Sequence, residues 1–403
     1  MRPAWRYAAP SRGRARGPPV IALAELVFWL SMTWIAYALV LYPGLALVVG
    51  ALRGALRTPV RGDATPRLSV LISAYNEEKA IEDKVRRTLA LDYPPDRLEV
   101  IVASDGSTDR TDEIVRGIDD PRVHLFRAEG RVGKTATLNG AVESATGEIL
   151  VFSDATGIYS ENALRALAAR FADPAVGCVA GRVAYRYGED GTSKGFRGYQ
   201  RLVVAIRNAE NAFGDQTSVS GSIHAVRRAL FRPSAPAFSP DVLDAVHTVA
   251  QGYRVVYEYD AVSLEDSRIS SRQEFAARVR ISVQNNNMTP YVLRELLHAR
   301  RWFFLFQVVS HKMLRWWMWV PLCILAVSNL VLLEQGGKYL LFGVAQVVFY
   351  ALAALGMARG AGGRRLDAIS SMASFFVIGN AAMCAGAFQS LMGAQKAAWE
   401  PVR

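Results

Sequence analysis

Four short apolar runs, each ending in a polar cluster, fill residues 68–154: LSVLISAYNEE (68–78), LEVIVASDGSTD (98–109), VHLFRAEGRVGKT (123–135) and EILVFSDAT (148–156). Strands joined by helix-length connections build a parallel sheet, and such sheets bind ligands beyond the carboxyl ends of their strands. Asp105 and Asp154 both stand at strand ends. The pattern therefore predicts an α/β domain over residues 53–292, with two carboxylates facing one crevice.

The flanks are apolar. Hydrophobic residues make up 51% of the 403-residue chain, and its net charge is +11. That basicity, mostly arginine, is scattered rather than interleaved with stacking aromatics, which argues against a nucleic-acid partner and for anionic lipid or substrate phosphates. Cys178, Cys323 and Cys384 lie far apart and give neither a zinc spacing nor a disulfide framework.

Residues 20–52 are long enough to cross a bilayer, although Glu25 and Pro43 interrupt them. They follow a basic tail (1–19) containing Arg2, Arg6, Arg12, Arg14 and Arg16, without a clear cleavage site, and read as a retained anchor. Further spans are expected at 318–334, 339–357 and 369–393, before a short tail (394–403). Arg359, Arg364 and Arg365 place the loop between the last two in the cytoplasm. Counting back puts the large domain there too, at a bacterial inner or plasma membrane. The basic tail also votes for the cytoplasm, so residues 20–52 either form a hairpin or override that charge. LLHARRWFFLFQVVSHKMLRWWMWV (296–320) alternates aromatics with Arg300, Arg301, His311, Lys312 and Arg315. An amphipathic helix in the headgroup layer is expected over 293–317.

The polar clusters admit two readings each. Ser73–Glu78 opens a helix, where free amides bind phosphate or ribose, or where Asn76 simply caps. Asp109 suits an N-cap, while Asp105 sits deeper and can accept from a nucleobase or a ribose. GRVGKT (130–135) lacks the first glycine of a P-loop, since Ala128 occupies that place, so an ATPase reading fails while Lys134 keeps its phosphate-binding potential. Asp154 ends the most apolar strand, which points to a bonded turn or a divalent cation. In the second half, Ser220-Gly221-Ser222 precedes His224 on a short strand, where a core histidine is expected. Asp241 opens a helix at 242–251 with Asp244 in its first turn, and Glu265 and Asp266 follow a strand as caps or as acids near the site. Arg278 and Arg280 are two apart on a helix, so one can meet a phosphate and the other faces away.

Taken in order, SAYNEE (73–78), ASDGSTDRT (103–111), GKTATLNGA (133–141), GEILVFSDAT (147–156), VSGSIHAVRR (219–228) and DVLDAVHTVAQGYRVVYEYDA (241–261) resemble the membrane-bound glycosyltransferases of family 2, related to polysaccharide synthases of the cellulose and hyaluronan type. The resemblance implies a Rossmann-like GT-A domain with a mixed, mainly parallel sheet. It implies that Ala74, Tyr75, Glu77 and Asp105 hold the donor nucleotide near Lys134, that Asp154 binds Mg²⁺ or Mn²⁺, and that Ser220, Gly221 and Ser222 wall the acceptor side. Asp241 would be the catalytic base.

Three departures matter. Thr156 replaces the second acid of the usual Asp-x-Asp metal motif, and Pro240 replaces the acid before Asp241, which should lower the Asp241 pKa relative to a paired carboxylate. Processive synthases carry Gln-x-x-Arg-Trp, whereas SVQNNNMTP (282–290) offers Gln284 without Arg-Trp. The expectation is an inverting transfer of one or a few sugars from a nucleotide-diphosphate sugar, with UDP favoured, to a lipid-linked or glycan acceptor, and a partner subunit or homo-oligomer is left open. A processive synthase that exports its product and a non-catalytic sugar-binding protein are the alternatives.

Overall fold

The computed structural model describes residues 19–54, 62–63, 65–186, 192–266, 271–359 and 365–395. The basic tail (1–18), most of the terminal tail (396–403), Arg364 and the side chains of Arg359, Arg365 and Asp266 lie outside the described residues.

The centre is an eight-stranded sheet: β1 (Leu68–Ala74), β2 (Leu98–Ser104), β3 (Val123–Arg127), β4 (Ile149–Asp154), β5 (Ile158–Tyr159), β6 (Val176–Arg186), β7 (His224–Arg227) and β8 (Arg254–Asp266), in the order β3-β2-β1-β4-β7-β6-β8-β5. The first four strands in that order are mutually parallel, and β7 runs antiparallel to both its neighbours. β1, β2 and β4 read as near-continuous apolar runs because both their faces are covered, whereas β3 at the sheet edge is half-buried.

On one face, Val70, Ile72, Val100, Val102 and Val151 pack against α3 (Ile81–Leu89), α4 (Thr111–Arg116) and α6 (Ala163–Ala169). On the other, Leu71, Ile101, Leu150 and Phe152 meet α5 (Lys134–Ser144), α8 (Pro240–Ala250) and α9 (Ser271–His298). Each fully buried Val, Leu or Ile contributes roughly 1.5–3 kcal/mol, so these two layers fix the sheet. The chain leaves β1 toward β2 and β3, then crosses back to β4 on the other side of β1. This reversal opens a crevice at the carboxyl ends of β1 and β4.

Among the described residues, three helical segments are long and apolar enough to cross a membrane, Pro19–Gly54, Gly337–Ala358 and Ile369–Leu391, and the bent pair Trp302–Trp316 with Trp319–Gln335 would make a fourth if it forms one span. The first spans 36 residues, made of α1 (Pro19–Ala36), a π turn at Tyr37–Leu41 and α2 (Tyr42–Gly54). Pro43 has no N–H to donate and its ring crowds the preceding turn, and the wider π turn absorbs both faults. Glu25 accepts a hydrogen bond from the Tyr339 hydroxyl at 2.8 Å, so this carboxylate within the apolar helix is satisfied. Helix α7 (Thr192–Phe213) packs along α2 and joins the anchor to the domain.

The expected continuous helix over 293–317 is corrected. Helix α9 ends at His298, Arg300 takes φ +55°, and the chain restarts as α10 (Trp302–Val308), a π turn (Val309–Met313) and α11 (Leu314–Trp316). A 57° bend separates this unit from α12 (Trp319–Leu332). The amphipathic pattern was read across a break that a left-handed arginine makes. Helices α13 (Gly337–Arg359) and α14 (Arg365–Leu391) follow, and α14 packs along α9.

Candidate active site

The reversal between β1 and β4 sets Ser73 beside Asp154 in the sheet register. Ser73 Oγ donates to Asp154 Oδ1 at 3.1 Å, and Ser222 Oγ donates to Asp154 Oδ2 at 3.0 Å. Lys134, the first residue of α5, completes the cluster by ion pairing with Asp154. Burial works to raise the Asp154 pKa, but the Lys134 ammonium and the two hydroxyls outweigh it and hold the carboxyl below its ordinary range. Burial likewise works against the Lys134 charge, and Asp154 and Asp241 outweigh it.

Asp241, in the first turn of α8, faces the same cavity, of about 250 Å³. Among the described residues no hydrogen bond reaches its carboxylate. Its backbone carbonyl accepts from Val219 N at 2.7 Å, which ties the Ser220–Ser222 wall to the start of α8. Burial raises the Asp241 pKa above its ordinary value, and the Lys134 ammonium only partly offsets that.

Ala74, Tyr75, Asp105, Ser220 and Gly221 also line the cavity. Asp105 is occupied structurally, since its Oδ1 accepts from Val132 N (2.8 Å), Gly133 N (2.9 Å) and Thr137 Oγ1 (3.0 Å). It shapes the loop that delivers Lys134. The Arg131 guanidinium lies 4.1 Å above the Tyr75 ring, a stacking pair at the mouth that the GRVGKT reading passed over. Glu77 donates its backbone N–H to Thr111 Oγ1 at 2.8 Å.

Asn76 is not the helix cap expected. It adopts φ +54°, and its Oδ1 accepts from Thr108 N at 2.8 Å, stitching the loops after β1 and β2 together, while α3 starts at Ile81. Asp109 stands one residue before the cap position, which Arg110 occupies, and its Oδ1 accepts from Thr111 N at 3.0 Å.

Of the two arginines on α9, Arg280 lines the cavity, and no hydrogen bond or ion pair holds it among the described residues. Arg278 stacks over Phe375 of α14 at 4.3 Å. Gln284 also lines the cavity. Three and four residues on, where Arg-Trp would stand, Asn287 bonds Ala394 O and Met288 is buried in the core.

His224 is buried, with Nδ1 2.8 Å from Ser220 O and Nε2 2.9 Å from Asp244 Oδ2. Asp244 is therefore no solvated first-turn acid. It is the buried partner that orients His224 beneath the Ser220–Ser222 turn.

Glu265 lies inside β8, not after it. Burial raises its pKa, and the nearby Asp154 adds to this. Lys84 on α3 is buried nearby and donates to Gly157 O, and burial lowers its pKa to about 7.

Among the described residues no group of three or more His, Cys, Asp or Glu converges on one point. Hard cations that travel with phosphates need only one or two carboxylates, however, and Asp154, Ser73 and Ser222 offer oxygen ligands beside the Lys134 ammonium. Glu265 Oε1, buried without a hydrogen-bond partner, adds an unsatisfied oxygen in the same region. These residues fit Mg²⁺ or Mn²⁺ arriving with a diphosphate.

A mainly parallel sheet with helices on both faces, a crevice at its switch point and a helix-borne carboxylate opposite define a GT-A domain, the fold of nucleotide-sugar transferases. Residues 69–233 match the family Glycosyl transferase family 2. It is 32% identical over 194 residues to the Beta-monoglucosyldiacylglycerol synthase of Synechocystis, covering 43% of this chain and 40% of that protein. It is 27% identical over 213 residues to the Poly-beta-1,6-N-acetyl-D-glucosamine synthase of Staphylococcus aureus, covering 49% of each. The matched part thus spans about half or less of these curated relatives. The fold is shared with the mannosyltransferase PcManGT of Pyrobaculum calidifontis, solved with GDP-Man and Mn²⁺, at a TM-score of 0.65 and 23% identity over 93% of this chain and all of that one.

Proposed function

We propose that this protein is an inverting, metal-dependent membrane glycosyltransferase that moves one or a few sugars from a nucleotide-diphosphate sugar, with UDP favoured, to a lipid-linked or glycan acceptor. One observation carries the reading: the Asp241 carboxylate, free of hydrogen bonds among the described residues, shares a cavity with the Lys134–Asp154 pair.

Asp154 would hold the divalent cation, which when bound neutralises charge on the departing diphosphate. Lys134 and Arg280 add positive charge to the same side of the cavity. Tyr75 and Arg131 offer a stacking surface for the base. Asp241 takes the proton of an acceptor hydroxyl, which attacks the anomeric carbon as the bond to the nucleotide breaks. Base assistance of this kind supplies roughly 10²–10⁴-fold. Gly221 leaves room between Lys134 and Asp241, so donor and acceptor can meet there.

The apolar helices would anchor the domain in the membrane with its crevice on the cytoplasmic side, as the arginines of the 359–365 loop favour. An acceptor at lipid level follows, and a relative named for glycolipid synthesis supports it. A processive synthase is the second reading, favoured by the likeness to a polysaccharide synthase and by Gln284 in the cavity. The loss of Arg-Trp to a core methionine and a bonded asparagine weighs against it. Incubation with labelled UDP-sugars and a membrane-lipid extract tests the choice. A single chloroform-soluble product supports transfer to lipid, a ladder of increasing size the synthase, and no incorporation opposes both.

A further inference from the structure

The antiparallel pairing of Ile158 with Leu264 and of Tyr159 with Ser263 brings β8 back beside the chain that leaves Asp154. Continuing that register sets Glu265 opposite Gly157, three residues past Asp154. Gly157 has no side chain to intervene, and a Cβ there would meet Ser263 Oγ at 2.6 Å. Ser222 lies against both acids, since its hydroxyl donates to Asp154 Oδ2 and it also neighbours the Glu265 carboxylate. One hydroxyl has one proton, so it satisfies Asp154 and leaves Glu265 Oε1 buried without a partner. A buried carboxylate oxygen left this way is costly unless a cation or a donor reaches it. Both acids border the same Ser222 hydroxyl, so a cation taken up beside it would have both carboxylates near, directly or through its water.

We infer that Glu265 supplies the second carboxylate of the divalent-cation site at Asp154, in place of the acid that Thr156 lacks. The inference rests on the metal-dependent reading above. It accounts for a family motif cut to one acid: the missing charge comes from a distant strand.

The test uses the full chain in detergent, with Mn²⁺ titrated in the presence of UDP or of GDP and free Mn²⁺ read by electron paramagnetic resonance. Loss of a group that supports a metal typically weakens binding about 10–100-fold. Glu265→Gln should weaken Mn²⁺ by about 10-fold or more. Glu265→Cys should lose Mn²⁺ yet hold Cd²⁺, because a thiolate selects the softer ion. A purely structural role predicts no such exchange of metals. Unchanged Mn²⁺ affinity in Glu265→Gln, or equal loss of both metals in Glu265→Cys, overturns the inference alone. A wild-type protein that binds no Mn²⁺ with either nucleotide overturns the metal-dependent reading as well.

Discussion

A Cβ placed on Gly221 would stand 3.1 Å from Asp241 Oδ1 and 2.9 Å from Lys134 Nζ. A side chain as small as one methyl would therefore crowd both Asp241 and Lys134. Gly221→Ala should fold, because both neighbours are side-chain tips that can shift. Its kcat should nevertheless fall by about 10–100-fold, since misplacement by about 1 Å is enough to cost that much. Steady-state kinetics beside a thermal melt check this.

Burial holds the Asp241 pKa above the ordinary carboxylate range. A base works when ionised, so activity should be present above that raised pKa and lost as pH falls through it. The acidic limb of log kcat/KM, which reports the free enzyme, should therefore lie above the usual aspartate value. A profile flat down to ordinary carboxylate pH contradicts the assignment.

Arg280 lines the cavity while Arg278, two residues earlier on the same helix, packs on Phe375 of α14. Arg280→Ala removes a cation from the cavity and should raise the donor KM by about 10-fold. Arg278→Ala removes a stack on Phe375 worth about 0.5–1 kcal/mol and should leave donor KM unchanged. Donor titrations of the two variants distinguish them.

His224→Ala would leave Asp244 buried without its ring partner. Stripping a partner from a buried carboxylate costs about 3–5 kcal/mol. A large loss in denaturant midpoint is expected, with activity failing through stability. His224→Gln, which can still bond Asp244, should recover part of it.

The parallel half of the sheet was legible because strands buried on both faces leave continuous apolar runs, and LSVLI, LEVIVA and EILVF are such runs. Asp154 and Asp241 were legible from their places at a strand end and a helix start. Long-range pairing was not. Nothing local joins His224 to Asp244, or sets Glu265 opposite Gly157, because periodicity fixes which face a residue presents and not which strand returns to it. Backbone sign was hidden too: Asn76 and Arg300 take positive φ without being glycine, so one expected cap became a loop staple and one expected helix broke.

Nucleotide release from detergent-purified protein, across UDP-, GDP- and dTDP-sugars with Mn²⁺, Mg²⁺ or chelator, tests the central claim most directly when Asp241→Asn is run alongside. The account predicts release from one donor, dependent on metal and reduced about 10²–10⁴-fold in the variant at unchanged melting temperature. Release that persists in Asp241→Asn, or that ignores chelator, would contradict it.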